Sequence, residues 1–222
     1  MPTIELLTPQ AHAHVRLRTP TAAVSHFVAI VAPEFTAAAA CCPILFTKDA
    51  GTGAFYAGAM FGFKPGEVLL ATSAARAGFE PLMFQREGFF MSDRNLAIDR
   101  DHERFSDSEG DPLFDEGGTP TKSLRAIQRA LGEASAGLQQ TNLFIAAMTE
   151  LKLIEPIDIS LTFGAERLSL QGLYTVSLDR LRDVDDATAL RLFRSGHLQL
   201  IHTMAGSLKQ IGRLATLRSL RA

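Results

Sequence analysis

The chain has 222 residues, a formal net charge of −2 and 46% hydrophobic residues. That length fits one large domain, and the apolar content excludes general disorder. Near-neutral charge argues against a dedicated nucleic-acid binder, which carries a clear basic excess.

Residues 1–19 contain Pro2, Glu5, His12 and His14, and no positive segment precedes an apolar core as in a secretory signal. The longest apolar candidate, residues 26–46, is interrupted by Pro33, Glu34 and Pro43. No stretch approaches the ~20 uninterrupted apolar residues of a membrane helix. We therefore expect a cytoplasmic chain without a transmembrane segment.

Residues 14–18 alternate and predict a short strand, and residues 26–31 form an apolar run suited to a buried one. Alanine-rich residues 34–41 favour a helix, stopped by Pro43. At its end, Cys41 and Cys42 are adjacent. A disulfide between neighbours is strained, and no other soft ligand lies near for zinc, so both read as small buried hydrophobes. Residues 43–47 predict a strand, and residues 55–63 and 67–71 predict a strand pair joined by a Lys64-Pro65-Gly66 turn of type II character.

Residues 93–118 differ. Nine acids, from Asp93 to Glu116, face Arg94, Arg100 and Arg104, and Gly110, Pro112, Gly117 and Gly118 interrupt any long element. This stretch predicts an exposed connection with short strands at 95–99 and 104–106. Helices dominate afterwards. Thr119 and Pro120 suit an N-cap and first turn, Leu124, Ile127 and Leu131 share one face, and Gly137 is a terminator. A second helix over residues 141–151 presents Phe144, Ile145, Met148 and Leu151. Residues 157–163 and 167–174 alternate and predict a hairpin turning at Gly164-Ala165-Glu166. Two helices, 184–194 and 197–219, end the chain.

Several blocks in this order resemble the SapC family of bacterial proteins. Glu34-Phe35 and Pro43-Ile44-Leu45-Phe46 are similar to its early pattern, and Gly62 with Val68-Leu69-Leu70 to its second block. Arg86 and Phe89 follow, then Asp99, Asp111-Pro112-Leu113-Phe114-Asp115 and Gly118-Thr119-Pro120-Thr121. Thr141, Phe144, Leu153-Ile154-Glu155-Pro156, Leu170-Gln171-Gly172-Leu173-Tyr174, residues 196–200 and Ser207-Leu208 complete the series. The likeness covers roughly residues 25–215. It departs from the family in having no Trp, a place that Phe79 or Phe84 fills, and in carrying Gln210 where relatives have Asn. The resemblance implies a soluble SapC-like domain over residues 1–222, subdivided, if at all, near residues 93–120. The family takes its name from a locus tied to a bacterial surface layer (S-layer). Its relatives often lie beside genes for tryptophan-halogenase-like, cupin-like and TonB-dependent-receptor proteins.

No familiar chemistry declares itself in the residues. An EF-hand loop needs glycine sixth and glutamate twelfth. Counting from Asp99 gives Arg104 and Gly110, and counting from Asp107 gives Pro112 and Gly118. His12 and His14 share a strand face near Glu5, whereas His197 and His202 lie about 140° apart on an ideal helix. His102 sits among acids. No Gly-x-Ser-x-Gly elbow is present, Ser195-Gly196-His197 reads as a helix stop and restart, and Gly51-x-Gly53 lacks the rest of a dinucleotide motif. We expect no metal and no cofactor.

Residues 187–222 carry six Lys or Arg and no acid, a net of +6 against −8 for the remainder. Met204, Leu208, Ile211 and Ala215 fall on one face of this segment, making a basic amphipathic helix. It either docks on an acidic body or presents a binding face for a protein, an acidic peptide or an anionic membrane.

The expected fold is α+β: a mainly antiparallel sheet from the N-terminal half and the 157–174 hairpin, packed against C-terminal helices. The favoured function is an accessory protein that binds a protein or peptide partner from surface-layer, receptor or modification machinery, with no nucleic acid. The alternative is an enzyme or enzyme subunit acting on a peptide or aromatic metabolite. That reading requires Arg86, Asp99, Tyr174 and His197 to converge in a deep pocket.

Overall fold

The computed structural model of the chain describes residues 3–19, 25–70, 79–92 and 95–221. In chain order the elements begin with β1 (Ile4–Leu6), α1 (Pro9–His12), β2 (Arg16–Leu17) and β3 (Phe27–Ala29). A 3-10 turn (Ala32–Glu34) leads into α2 (Phe35–Ala39), β4 (Ile44–Lys48) and β5 (Phe55–Met60). Next come α3 (Leu82–Gln85), β6 (Phe89–Ser92), β7 (Asn95–Asp99), β8 (Phe105–Ser106), β9 (Asp111–Pro112) and α4 (Lys122–Glu150). The chain continues through β10 (Ile154–Pro156), β11 (Ile159–Phe163), β12 (Glu166–Leu170) and β13 (Tyr174–Val176). It closes with α5 (Leu178–Arg182), α6 (Asp186–Arg194), α7 (His197–Ser207) and α8 (Gln210–Ser219). Every described strand pair is antiparallel, so the fold is α+β as the sequence predicts. No described helix is long and apolar enough to cross a membrane.

The chain divides into two compact units, Met1–Ala23 with Pro81–Ala136, and Val24–Glu80 with Gly137–Ala222. In the first, sheets ordered β1-β7-β6 and β8-β2-β9 send Phe89, Ile98, Leu17 and Phe105 into a core shared with Leu124, Ile127 and Leu131 of α4. The acidic segment is therefore more than an exposed connection. Its Phe105, Leu113 and Phe114 are buried while most of its described carboxylates are exposed, because apolar area is worth about 25 cal/mol per Å2 removed from water. Asp93 and Arg94 of that segment lie outside the described residues. Arg104 is buried too, and its Nη1 donates to the carbonyls of Phe84 (3.4 Å), Gln85 (2.9 Å) and Glu87 (3.0 Å). These carbonyls lie at the C-terminal end of the short helix α3 and just beyond it. The cap of α4 falls two residues later than expected: Thr121 Oγ1 accepts from the Leu124 N–H, and Pro120 instead bridges to Phe114.

In the second unit the sheet order is β10-β13-β4-β5-β3. Pro43–Phe46 and Gly172–Tyr174 share this one sheet, since Tyr174 pairs with Phe46. Cross-strand partners lie on the same face and neighbours on opposite faces. Ile44, Phe46, Ala57, Ala59 and Val28 therefore share one face, and Leu45, Thr47, Tyr56, Gly58, Met60 and Phe27 the other. On the first face Phe46 meets Phe144 of α4 at 6.0 Å, and Phe144 meets Phe35 edge-on at 6.0 Å. All three are fully buried, each worth about 1.5–3 kcal/mol.

Gly137 does not end a helix, because α4 runs unbroken through it. Its hydrogen makes room for a neighbour: a Cβ there would stand 2.6 Å from Val31 Cγ2 and 3.2 Å from Pro33 Cδ. One turn on, Thr141 Oγ1 accepts the Ala32 N–H (2.8 Å) and donates to the Gly137 carbonyl (2.6 Å), pinning that segment to the helix. The expected 197–219 helix breaks after Ser207, whose hydroxyl donates to the Met204 carbonyl and accepts the Ile44 N–H at 2.8 Å. The expected strand over 67–71 is irregular at residues 67–70, and Ala71 lies outside the described residues. The hairpin ends at Leu170: Gly172 turns at a φ of 74°, and Tyr174 joins the five-stranded sheet.

Two glycines of α4 separate propensity from packing. Gly132 meets nothing within 4 Å, so Gly132→Ala should raise stability by about 0.5–1 kcal/mol through helix propensity. Gly137→Ala gains the same propensity yet should lose about 1–3 kcal/mol net by displacing Val31. Urea unfolding of the two variants reads both signs.

Candidate functional site

The second face of the five-stranded sheet carries a cleft of about 440 Å3. Phe27, Thr47, Tyr56 and Met60 form its floor, and Phe63, Ser25 and His26 its rim. Ser169, Leu170, Gln171 and Leu173, at the end of β12 and beyond it, make the facing wall. The floor follows from the strand period, because Thr47 pairs with Tyr56 and Phe27 with Met60, all on one face. Gly58 lies between them. A Cβ there would stand 2.2 Å from Phe27 Cε1, so the ring lies flat across the strand only over glycine. Phe27 then meets Tyr56 edge-on at 6.1 Å.

The wall is tied to the floor by Thr47, whose Oγ1 donates to the Gly172 carbonyl at 3.0 Å. The rim is fixed by the His26 carbonyl, which accepts from the N–H groups of Phe61 (2.7 Å) and Gly62 (3.1 Å). Burial holds the His26 imidazole below its ordinary pKa, with the Glu67 carboxylate acting the other way. Burial also pushes the Tyr56 phenol up, helped by nearby Asp49. Asp49 itself is held low by the Thr52 hydroxyl and the backbone N–H groups of its turn. At neutral pH the cleft therefore presents a neutral imidazole, a protonated phenol, hydroxyls and an amide beside the apolar side chains of Phe27, Met60, Leu170 and Leu173. Such a set donates and accepts hydrogen bonds without carrying net charge.

The four sequence candidates occupy other places. In the first unit, Arg86 follows α3 with its Nε on Met83 Sδ at 3.1 Å. Asp99 Oδ1 accepts the N–H groups of Thr3 (3.0 Å) and Asp101 (3.3 Å), closing a turn. In the second unit, Tyr174 and His197 meet opposite ends of one aromatic row. Tyr174 packs on Phe55 (5.0 Å), Phe55 on Phe46 (6.5 Å), Phe46 on Phe144 (6.0 Å), and Phe144 on His197 (5.5 Å). Lys48 Nζ stands 5.0 Å and 5.5 Å from the Phe55 and Tyr174 rings. Neither Tyr174 nor His197 lines the cleft. Sequence reading passed over the cleft's own Phe27 and Tyr56, and Gly58 beneath the Phe27 ring. The available signal was two neighbouring strands, residues 43–47 and 55–63, and only their pairing in the structure places Tyr56 beside Thr47.

The basic tail is partly internal. Arg218 is buried against two carboxylates, with Nε on Glu67 Oε1 (2.7 Å) and Nη2 on both Glu166 oxygens (3.1 Å each). Arg221 donates to the carbonyls of Val68 and Leu69. Arg191, Arg194, Lys209 and Arg213 remain exposed. The side chains of Cys41 and Cys42 are buried and not joined by a disulfide, with Sγ atoms 3.4 Å apart. Their hydrogen bond holds Cys41 low and pushes Cys42 up. Among the described residues, no three His, Cys, Asp or Glu side chains gather where they could hold a metal ion.

Two neutral imidazoles set a pH window for the second unit. Burial holds both His26 and His197 below the ordinary 6.5, so the unfolded chain takes up protons first as pH falls. Their contribution is complete above that value and is lost as pH drops through the lowered folded values. The lowered carboxylates of Asp49, Asp185 and Glu166 act only at or below 3.8 to 4.5. Tm should therefore fall between about pH 7 and about pH 5, and a His26→Gln, His197→Gln double variant should flatten that fall. Thermal melts across the window decide it, and an undiminished slope in the variant would assign the effect elsewhere.

Comparison with known proteins bears on nearly the whole length. The family model described as SapC matches residues 7–214. No curated protein and no solved structure matches the chain. One ordered set of family positions thus runs through both compact units, and the chain belongs to the SapC family.

Proposed function

We propose that this chain is an accessory binding protein whose sheet-face cleft receives an uncharged, largely apolar side chain from a partner's peptide segment. The observation that carries the reading is the cleft's composition. The aromatic and aliphatic side chains of Phe27, Met60, Phe63, Leu170 and Leu173 stand beside His26, Tyr56, Gln171 and the serines, all neutral at physiological pH. Recognition sites combine an apolar bed with a few oriented polar groups in this way, and about 440 Å3 accommodates one or two side chains. Hydrogen-bonding groups at the rim suit the backbone amides that flank such an anchor. The family resemblance supports a partner from surface-layer, receptor or peptide- and metabolite-modification machinery.

Selection of a displayed random-peptide library on the immobilised full chain tests the reading. Wild type should enrich peptides with an uncharged apolar anchor. A Tyr56→Arg variant, which places a cation in the floor, should retain them at least about tenfold less, a loss on the order of 1.4 kcal/mol. No enrichment on wild type, or equal retention by a folded Tyr56→Arg, would sink it.

A further inference from the structure

The wall of the cleft is built by a hairpin with little backbone support. β11 and β12 pair with each other over five residues each and, among the described residues, with no other strand. A two-stranded hairpin is marginal alone in water, so side chains must hold this one in place. At its base the tie is Thr47 to the Gly172 carbonyl. At its turn the tie is Arg218 of α8. The guanidinium takes both Glu166 oxygens at 3.1 Å and stacks over Phe163, with Cζ 4.3 Å from the ring centre. Phe163 in turn meets Phe63, a rim residue of the cleft, at 6.1 Å.

The two carboxylates on Arg218 are not equivalent. Glu67 is 15% exposed, bonds Arg218 Nε at 2.7 Å, and accepts the Phe63 N–H through its other oxygen at 2.8 Å. Losing a partner there strands charge in a buried setting, which is costly. Glu166 is 50% exposed, and its second cation, Lys64, stands at 3.8 Å. The half-exposed Glu166 carboxylate regains water when it leaves Arg218, so parting there costs less than losing the buried Glu67. The junction therefore parts on the hairpin side, while Arg218 and Glu67 keep α8 and residues 63–67 together.

We propose that the Arg218–Glu166 pair is a latch that holds the β11–β12 hairpin closed against the cleft and sets the rate of ligand entry. This rests on the cleft being the binding site. Arg218 positions the wall and does not itself line the cleft.

Glu166→Gln opens the latch at a half-exposed side chain and leaves the buried Arg218–Glu67 pair intact. Amide hydrogen exchange on the full chain, with stopped-flow binding of the uncharged fluorophore N-phenyl-1-naphthylamine, reads the two halves of the claim. In Glu166→Gln, amides of residues 159–170 should exchange about tenfold faster while β4 and β5 keep wild-type rates, and dye entry should quicken by a similar factor. Wild-type exchange in the hairpin overturns the latch and leaves the cleft reading standing. Faster exchange spread equally through β4 and β5 overturns it as general destabilisation. Faster hairpin exchange with unchanged dye entry removes the gating role. Dye binding that ignores Tyr56→Arg removes the cleft reading, and the gating of that cleft with it.

Discussion

Phe46 and Thr47 are neighbours on β4, and the pleat sends them to opposite sides of the sheet. Phe46 is fully buried against Phe144, whereas Thr47 reaches the Gly172 carbonyl and lines the cleft. A one-residue slip of this strand would exchange the two and place a hydroxyl in the core. Register between β4 and β5 is thus the constraint on which both the aromatic core and the cleft depend. Ser207 reinforces it from outside the sheet by accepting the Ile44 N–H.

Close approach at glycine is the second recurring device. Gly58 lets the Phe27 ring cross the strand, and Gly137 lets Val31 and Pro33 lie on the long helix. At Gly62 a Cβ would stand 2.0 Å from the Glu67 carbonyl oxygen, so the 62–67 turn closes only around a hydrogen. That turn delivers Glu67 to Arg218. Packing distance in this second unit is therefore set where side chains are missing as much as where they are large.

Charge follows the same economy of position. Two of the six cations in the C-terminal segment are consumed internally, Arg218 by carboxylates and Arg221 by backbone carbonyls. Docking on the acidic body thus accounts for part of the segregated charge, and four exposed cations remain outside it. In the first unit, Arg104 satisfies three carbonyls near the end of α3, where a charged donor is worth more than a neutral one.

The sequence by itself determined the elements whose causes are local. Alternation placed β2, β11 and β12, proline and glycine punctuation placed the 64–66 and 164–166 turns, and apolar spacing placed the core face of α4. Ordered blocks spread over most of the chain carried the family. Tertiary structure decided what depended on residues far apart. Whether Gly137 stops a helix or admits a neighbour depends on Val31, more than a hundred positions away. Whether Arg218 meets solvent or carboxylates depends on Glu67 and Glu166. The cleft was hidden for the same reason: Phe27, Thr47, Tyr56 and Met60 are unremarkable singly, and they acquire a common chemistry only when strand pairing brings them to one face. Local pattern reports a residue's preference for helix or strand, whereas a site is made by neighbours that the chain order does not show.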